Sequence, residues 1–147
     1  MRSDYYSIPF RPIDILQGKS TEKSFHKSSL VNNIDQHIRL LFVTAFGDLR
    51  YDHNYGSIVN DLDFSNERQS GLFERLIESS LTESIAQYEP RLSHISITVR
   101  FDRKGEMIST KTDSYRMYIH VNLTGKIIMT NESFKSNFTV FFAPISE

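Results

Sequence analysis

Apolar residues recur at three- and four-residue intervals in two stretches of the chain. In the first, Leu30, Ile34, Ile38, Leu41, Phe42 and Ala45 form one stripe, the spacing of an amphipathic helix. Ser28 or Ser29 stands where a hydroxyl would accept the free amides of the first turn. Gly47 stands where a helix end favours a residue tolerant of positive φ. The second stretch spans residues 66–88. There Leu72, Phe73, Leu76, Ile77, Leu81 and Ile85 are the expected buried face, and Glu67, Arg68, Glu74, Arg75, Glu78 and Glu83 the solvated one. After it the helical period gives way to alternation. Ile95, Ile97, Val99 and Phe101 alternate with polar residues, as do Tyr115, Met117, Ile119, Val121 and Leu123. The second run extends toward Met129 if Gly125 is a bulge. "DRKGE" and "TNES" read as turns, and "FKSNFTVFF" as a last strand.

Strands joined by short turns are antiparallel neighbours. The pattern therefore predicts an α+β fold: two helices packed on a small, mainly antiparallel sheet, with an extended N-terminal arm. Residues 1–28 read as the arm and a polar linker, and residues 29–147 as a single α+β domain. In the arm, Tyr6, Ile8, Phe10, Ile13 and Leu16 surround Pro9 and Pro12, as in a segment laid on this domain or on a neighbouring subunit. The stretch 48–65 is long for a connection, so short structure of its own or a function is expected there.

Composition narrows the chemistry. The 147 residues carry 17 Lys and Arg against 18 Asp and Glu, a net charge of -1, unlike the basic profile of a nucleic-acid binder. With no cysteine, thiolate catalysis and Cys-based metal sites are excluded. No apolar run has signal-peptide or membrane-spanning length, so a cytoplasmic chain without membrane insertion is expected. The three N-x-S/T matches, at Asn122, Asn131 and Asn137, are then chance. "GKST" at 18–21 has Ile13 where a phosphate-binding loop needs its first glycine. The histidines show no ligand spacing and read as surface or packing residues, so no metal and no cofactor is expected. Asp61 and Asp63 are acidic loop residues without a partner pattern, and no G-x-S-x-G elbow occurs. Catalytic residues: none expected.

One tripeptide remains, Glu89, Pro90 and Arg91, between the second helix and the first long strand. It has two readings. Pro90 disfavours helical geometry at Glu89 and so ends the helix, with an exposed Glu–Arg pair adding about 0–1 kcal/mol. Alternatively both charges point outward into a partner, where truncating either would weaken binding by roughly 2–5 kcal/mol. In that case charge reversal would leave the isolated domain folded.

The tripeptide has company. Thr44, Gly47 and Asp48 close the first helix, Tyr55 and Gly56 follow after a short loop, and Glu89, Pro90 and Arg91 close the second helix. This order resembles the baseplate wedge and sheath-initiator family of contractile injection machines, which includes phage-tail baseplates and the TssE component of type VI secretion systems. The resemblance covers residues 29–142. It implies a non-catalytic assembly protein that contacts the other wedge subunits (TssF and TssG in the secretion system) through the Glu-Pro-Arg motif. It also implies a sheet that offers a strand edge to the first ring of sheath subunits, nucleating the sheath. The long acidic loop at 57–69 and the aromatic-rich arm depart from the common pattern. Other readings are a regulatory adaptor of related fold binding one soluble protein, and a cell-wall glycosidase, which would need two carboxylates flanking the bond.

Overall fold

The computed structural model describes residues 5–6, 27–62, 70–105 and 115–142. Outside the described residues lie the apolar arm positions 8–16, the "GKST" stretch, Asp63, and residues 66–69 of the expected second helix.

Helix α1 spans Leu30–Val43. It starts where Ser29 accepts the Asn32 N–H at 3.2 Å, a cap worth about 1 kcal/mol. Its apolar stripe packs inward, with Ile34, Ile38, Leu41 and Phe42 fully buried. The helix stops one turn before Gly47. Thr44 is extended, and its backbone N–H and its hydroxyl both donate to the Leu40 carbonyl, at 3.1 and 2.7 Å. Gly47, at φ +87°, serves a following loop turn instead, donating its N–H to the His53 carbonyl.

Helix α2 spans Ser70–Tyr88. Phe73, Ile77, Leu81 and Ile85 are buried, one turn apart, while Leu72 and Leu76 are 54% and 38% exposed. The expected buried face is thus narrower than its hydrophobicity suggests. The expected solvated face is also corrected. Glu78 accepts the Val99 N–H at 2.8 Å and Glu74 accepts the Phe101 N–H at 3.2 Å. The reason is placement: α2 packs along the strand Leu92–Gly105, so one polar flank meets the strand's backbone rather than water.

Strands β3 (Leu92–Gly105), β4 (Tyr115–Ile127) and β5 (Ser133–Phe142) form an antiparallel meander in the order β3-β4-β5. Val99, Ile119, Val121, Leu123, Phe134 and Phe138 join the helix residues in one hydrophobic cluster. Phe42 of α1 meets Phe138 edge-on, with centroids 5.3 Å apart, which seats α1 over β5. The irregularity expected at Gly125 lies across from it. Register slips between Ser93 and Ser96, where His94 takes φ +52°, so the extra residue is on β3. Gly125 stands opposite, where a Cβ would lie a tight 3.3 Å from the Ser93 carbonyl oxygen. In the arm, β1 (Tyr5–Tyr6) pairs antiparallel with β2 (Lys27–Ser28). The α+β architecture is as the spacing predicts: two helices against a three-stranded antiparallel sheet among the described residues.

Candidate functional site

Helical bonding persists to the Glu89 N–H, which donates to the Ile85 carbonyl at 2.9 Å. Pro90 then turns the chain, and the Leu92 N–H closes the turn on the Glu89 carbonyl at 3.2 Å. The two charges do not both face solvent. The Glu89 side chain is fully buried, while that of Arg91 is 25% exposed. Arg91 grips the carboxylate with both prongs of its fork, Nε to Oε1 at 2.5 Å and Nη2 to Oε2 at 2.5 Å. Its third nitrogen, Nη1, donates to Asn33 Oδ1 at 2.7 Å. His37 Nδ1 donates to Glu89 Oε2 at 2.9 Å.

Asn33 and His37 lie one turn apart on α1, so the pair ties the start of α1 to the α2–β3 corner. Burial by itself pushes the Glu89 carboxyl up. The hydrogen bonds and positive charges of Arg91 and His37 outweigh it, and hold the carboxyl at about 2, down from 4.5. The same bonds raise the Arg91 pKa further above its ordinary value. The outward-pointing reading of Glu89 is therefore replaced by an internal one. Sequence alone could not show this: Arg91 is two residues away, but His37, which also bonds Glu89, and Asn33, which holds Arg91, come from a helix more than fifty positions earlier. The one available signal was two polar residues, Asn33 and His37, flanking the α1 apolar stripe at helical spacing. His37 is thus more than the surface or packing residue expected.

The other motif residues shape the loop that closes over this network. Asp48 Oδ2 accepts the Ala45 N–H at 3.1 Å. Ala45 bridges to Ser57, and Ser57 donates its N–H to the Thr44 carbonyl at 2.9 Å and its hydroxyl to the Phe42 carbonyl at 2.7 Å. Gly56, at φ +127°, passes so close to this crossing that a Cβ would lie 2.4 Å from the Thr44 carbonyl oxygen. Its own carbonyl accepts the Ser84 hydroxyl at 2.6 Å. A short 3₁₀ helix, Ile58–Asp61, follows, with its first amide on Ser80 Oγ. As far as Leu62, the stretch expected to have short structure of its own or a function is thus a pinned connector with its own structure.

Its tip places Tyr55 between His37 (centroids 6.0 Å apart) and Tyr88 (5.0 Å, edge-on). The Tyr88 hydroxyl donates to Asp52 at 2.9 Å. Burial and then the negative charge of Glu89 raise the Tyr55 pKa. The three motif pieces therefore converge: the loop positions Tyr55, Tyr55 covers His37, and His37 and Arg91 hold Glu89.

The outer surface of the corner is different in kind. Pro90 is exposed, and Ile128 and Met129 of the β4–β5 turn are 59% and 67% exposed. The Ile128 N–H donates to the Arg91 carbonyl at 2.9 Å, fixing this rim to the corner. Chemically, the corner offers a shaped apolar rim and one partly open guanidinium. A carboxyl held at about 2 cannot serve as a general acid near neutral pH. Among the described residues no cluster of three or more His, Asp and Glu could hold a metal ion.

The two sheet edges are also unequal. On β3 the outward amides of Val99 and Phe101 are taken by Glu78 and Glu74. On β5 the Asn137 carbonyl points away from β4, where Arg39 Nη2 reaches it at 3.4 Å. Strand alternation then directs the backbone groups of Lys135, Thr139 and Phe141 to the same side. No described residue bonds to those.

Comparisons with known proteins bear on the fold and the family. A solved structure described as a tail lysozyme, from Geobacter sulfurreducens, superposes with a TM-score of 0.53 at 22% identity. The match covers 81% of this chain and 96% of that one, and it shows a shared fold. A comparison with curated proteins finds no match. No described helix is long and apolar enough to cross a membrane. The family model for the baseplate wedge protein gp25 matches residues 28–132, which takes in both helices, the pinned loop, the Glu-Pro-Arg corner, β3 and β4. The chain belongs to the baseplate wedge protein gp25 family.

Proposed function

We propose that this chain is a non-catalytic subunit of a type VI secretion baseplate, working in the cytoplasm. In this reading it joins the wedge through the Glu89–Pro90–Arg91 corner, against TssF- and TssG-like partners. It starts the sheath by accepting a strand from the first ring of sheath subunits. The observation that carries the reading is the inequality of the sheet edges. Carboxylates of α2 take two outward amides of β3, whereas at Lys135, Thr139 and Phe141 β5 keeps outward backbone groups, a template for strand addition. The corner supports the wedge half of the reading: Glu89 holds the joint rigid from inside, and Pro90 and Arg91 present its outer surface. Cell-wall hydrolysis, which the name of the structural neighbour raises, finds no support at Glu89, since a glycosidase acid needs a raised pKa.

Thr139→Pro tests the edge. It removes one outward amide and leaves the ladder to β4 intact, and proline is tolerated on edge strands. The variant is expected to fold and to enter the wedge, while sheath polymerisation on the assembled baseplates is lost. Sheath growth at the wild-type rate would rule out β5 as the acceptor edge.

A further inference from the structure

The guanidinium of Arg91 is held in its plane by Glu89 and Asn33. One of its faces is covered by the arm: the Tyr5 ring lies with its centroid 5.9 Å from Arg91 Cζ, within cation–π range. The Tyr5 hydroxyl also reaches Met129 Sδ at 3.8 Å. The ring is not there by chance contact of a loose end. Tyr5 pairs with Ser28 in the β1–β2 ladder, and Ser28 directly precedes Ser29, the N-cap of α1. One turn into that helix is Asn33, which receives Arg91. The arm is thus tethered beside the corner, and one aromatic side chain reaches both the guanidinium and Met129 of the apolar rim.

We propose that Tyr5 is an intramolecular latch on the Pro90–Arg91 corner, which a wedge partner must displace in order to dock. The proposal builds on the docking reading of the corner given above. A single ring held by a two-residue ladder is a weak cover that a larger complementary surface can replace. Its chemistry also describes the replacement: an aromatic or apolar side chain that stacks on Arg91 and packs on Met129. The arm then acts as a guard on the guanidinium face until the correct partner is present.

Two readouts on the full chain test this. Tyr5→Leu removes the ring and keeps apolar bulk, whereas Tyr5→Phe keeps the ring. Of the described methionines, Met117 and Met129, the Met129 methyl resonance should move in the leucine variant and that of Met117 should not, with Tyr5→Phe close to wild type. An unmoved Met129 resonance overturns the latch whatever the partners do. The second readout is affinity for co-expressed TssF- and TssG-like wedge proteins. Tyr5→Leu should bind several-fold more tightly. Unchanged binding means that the ring does not compete, and weaker binding means that Tyr5 belongs to the interface; either result overturns the latch. Binding by neither chain removes the docking reading, and the latch falls with it even if the Met129 resonance moves.

Discussion

Glu89→Ala is expected to destabilise the folded chain by about 3–5 kcal/mol, the range for removing one partner of a buried ion pair. The substitution strips Arg91 of both its bidentate bonds and leaves His37 without its acceptor. These donors are part-buried, so water can replace the carboxylate only incompletely. It also cuts the tie between α1 and the α2–β3 corner. Against a total stability of roughly 5–15 kcal/mol for a domain of this kind, that loss brings the chain close to unfolding. Glu89→Lys should be worse, because it buries a second positive charge against Arg91. The double variant Glu89→Ala with Arg91→Ala should lose less than the sum of the two single losses, since removing both charges leaves neither stranded. Urea denaturation of the four chains measures the coupling. Strict additivity would mean that the pair does not interact, contrary to the geometry. The outcome also changes how assembly defects are read: a Glu89 variant that fails to join a wedge has first lost its corner.

Gly56→Ala is expected to lose about 2–5 kcal/mol, combining a strained backbone with a forced contact. At φ +127° an L side chain is already disfavoured, and its Cβ would sit 2.4 Å from the Thr44 carbonyl oxygen and 3.0 Å from its carbon. Both obstacles are backbone at the end of α1, so no side chain can rotate away. Relief would break the crossing where Ser57 bonds Thr44 and Phe42. Gly47→Ala supplies the internal comparison. Its φ of +87° is also left-handed, but nothing lies within 4 Å of the added carbon, so roughly 1–2 kcal/mol of conformational cost is expected. Thermal or urea midpoints of the two variants should therefore differ clearly. Equal losses would show that the crossing of Gly56 over Thr44 is not tight.

How much of this is legible in the sequence follows from the range of each interaction. Element type is local, so the stripe from Ile34 to Phe42 and the alternation from Ile95 to Phe101 announce their structures. The Ser29 cap is equally local. Element faces are less legible. Leu72 and Leu76 read as core, and Glu74 and Glu78 as solvated, because hydrophobicity along α2 carries no record of the strand edge beside it. The bulge is half legible: Gly125 marks the place, yet the extra residue is His94 on the facing strand. At the site, the motif order of Thr44, Gly47, Asp48, Tyr55, Gly56, Glu89, Pro90 and Arg91 points to the family. The direction of Glu89 is set by Arg91 and His37, and Arg91 is itself held by Asn33; His37 and Asn33 are brought near only by tertiary structure. An Asp52–Tyr88 bond and a Tyr5–Arg91 contact are invisible for the same reason.

The central claim is that Glu89 faces inward as the charged centre of a structural joint. It has a consequence in pH. Because the folded carboxyl is held below its unfolded value, the unfolded chain binds the extra proton first. The stability this group contributes is present above about pH 4.5 and is lost as pH falls toward about 2. The most direct measurement is the titration of the Glu89 carboxyl carbon in the folded chain by NMR, assigned with Glu89→Gln. The expected midpoint is about 2. A midpoint at 4.5 or above would place the carboxylate in water or leave it without Arg91 and His37, contradicting the joint and restoring an outward-facing glutamate.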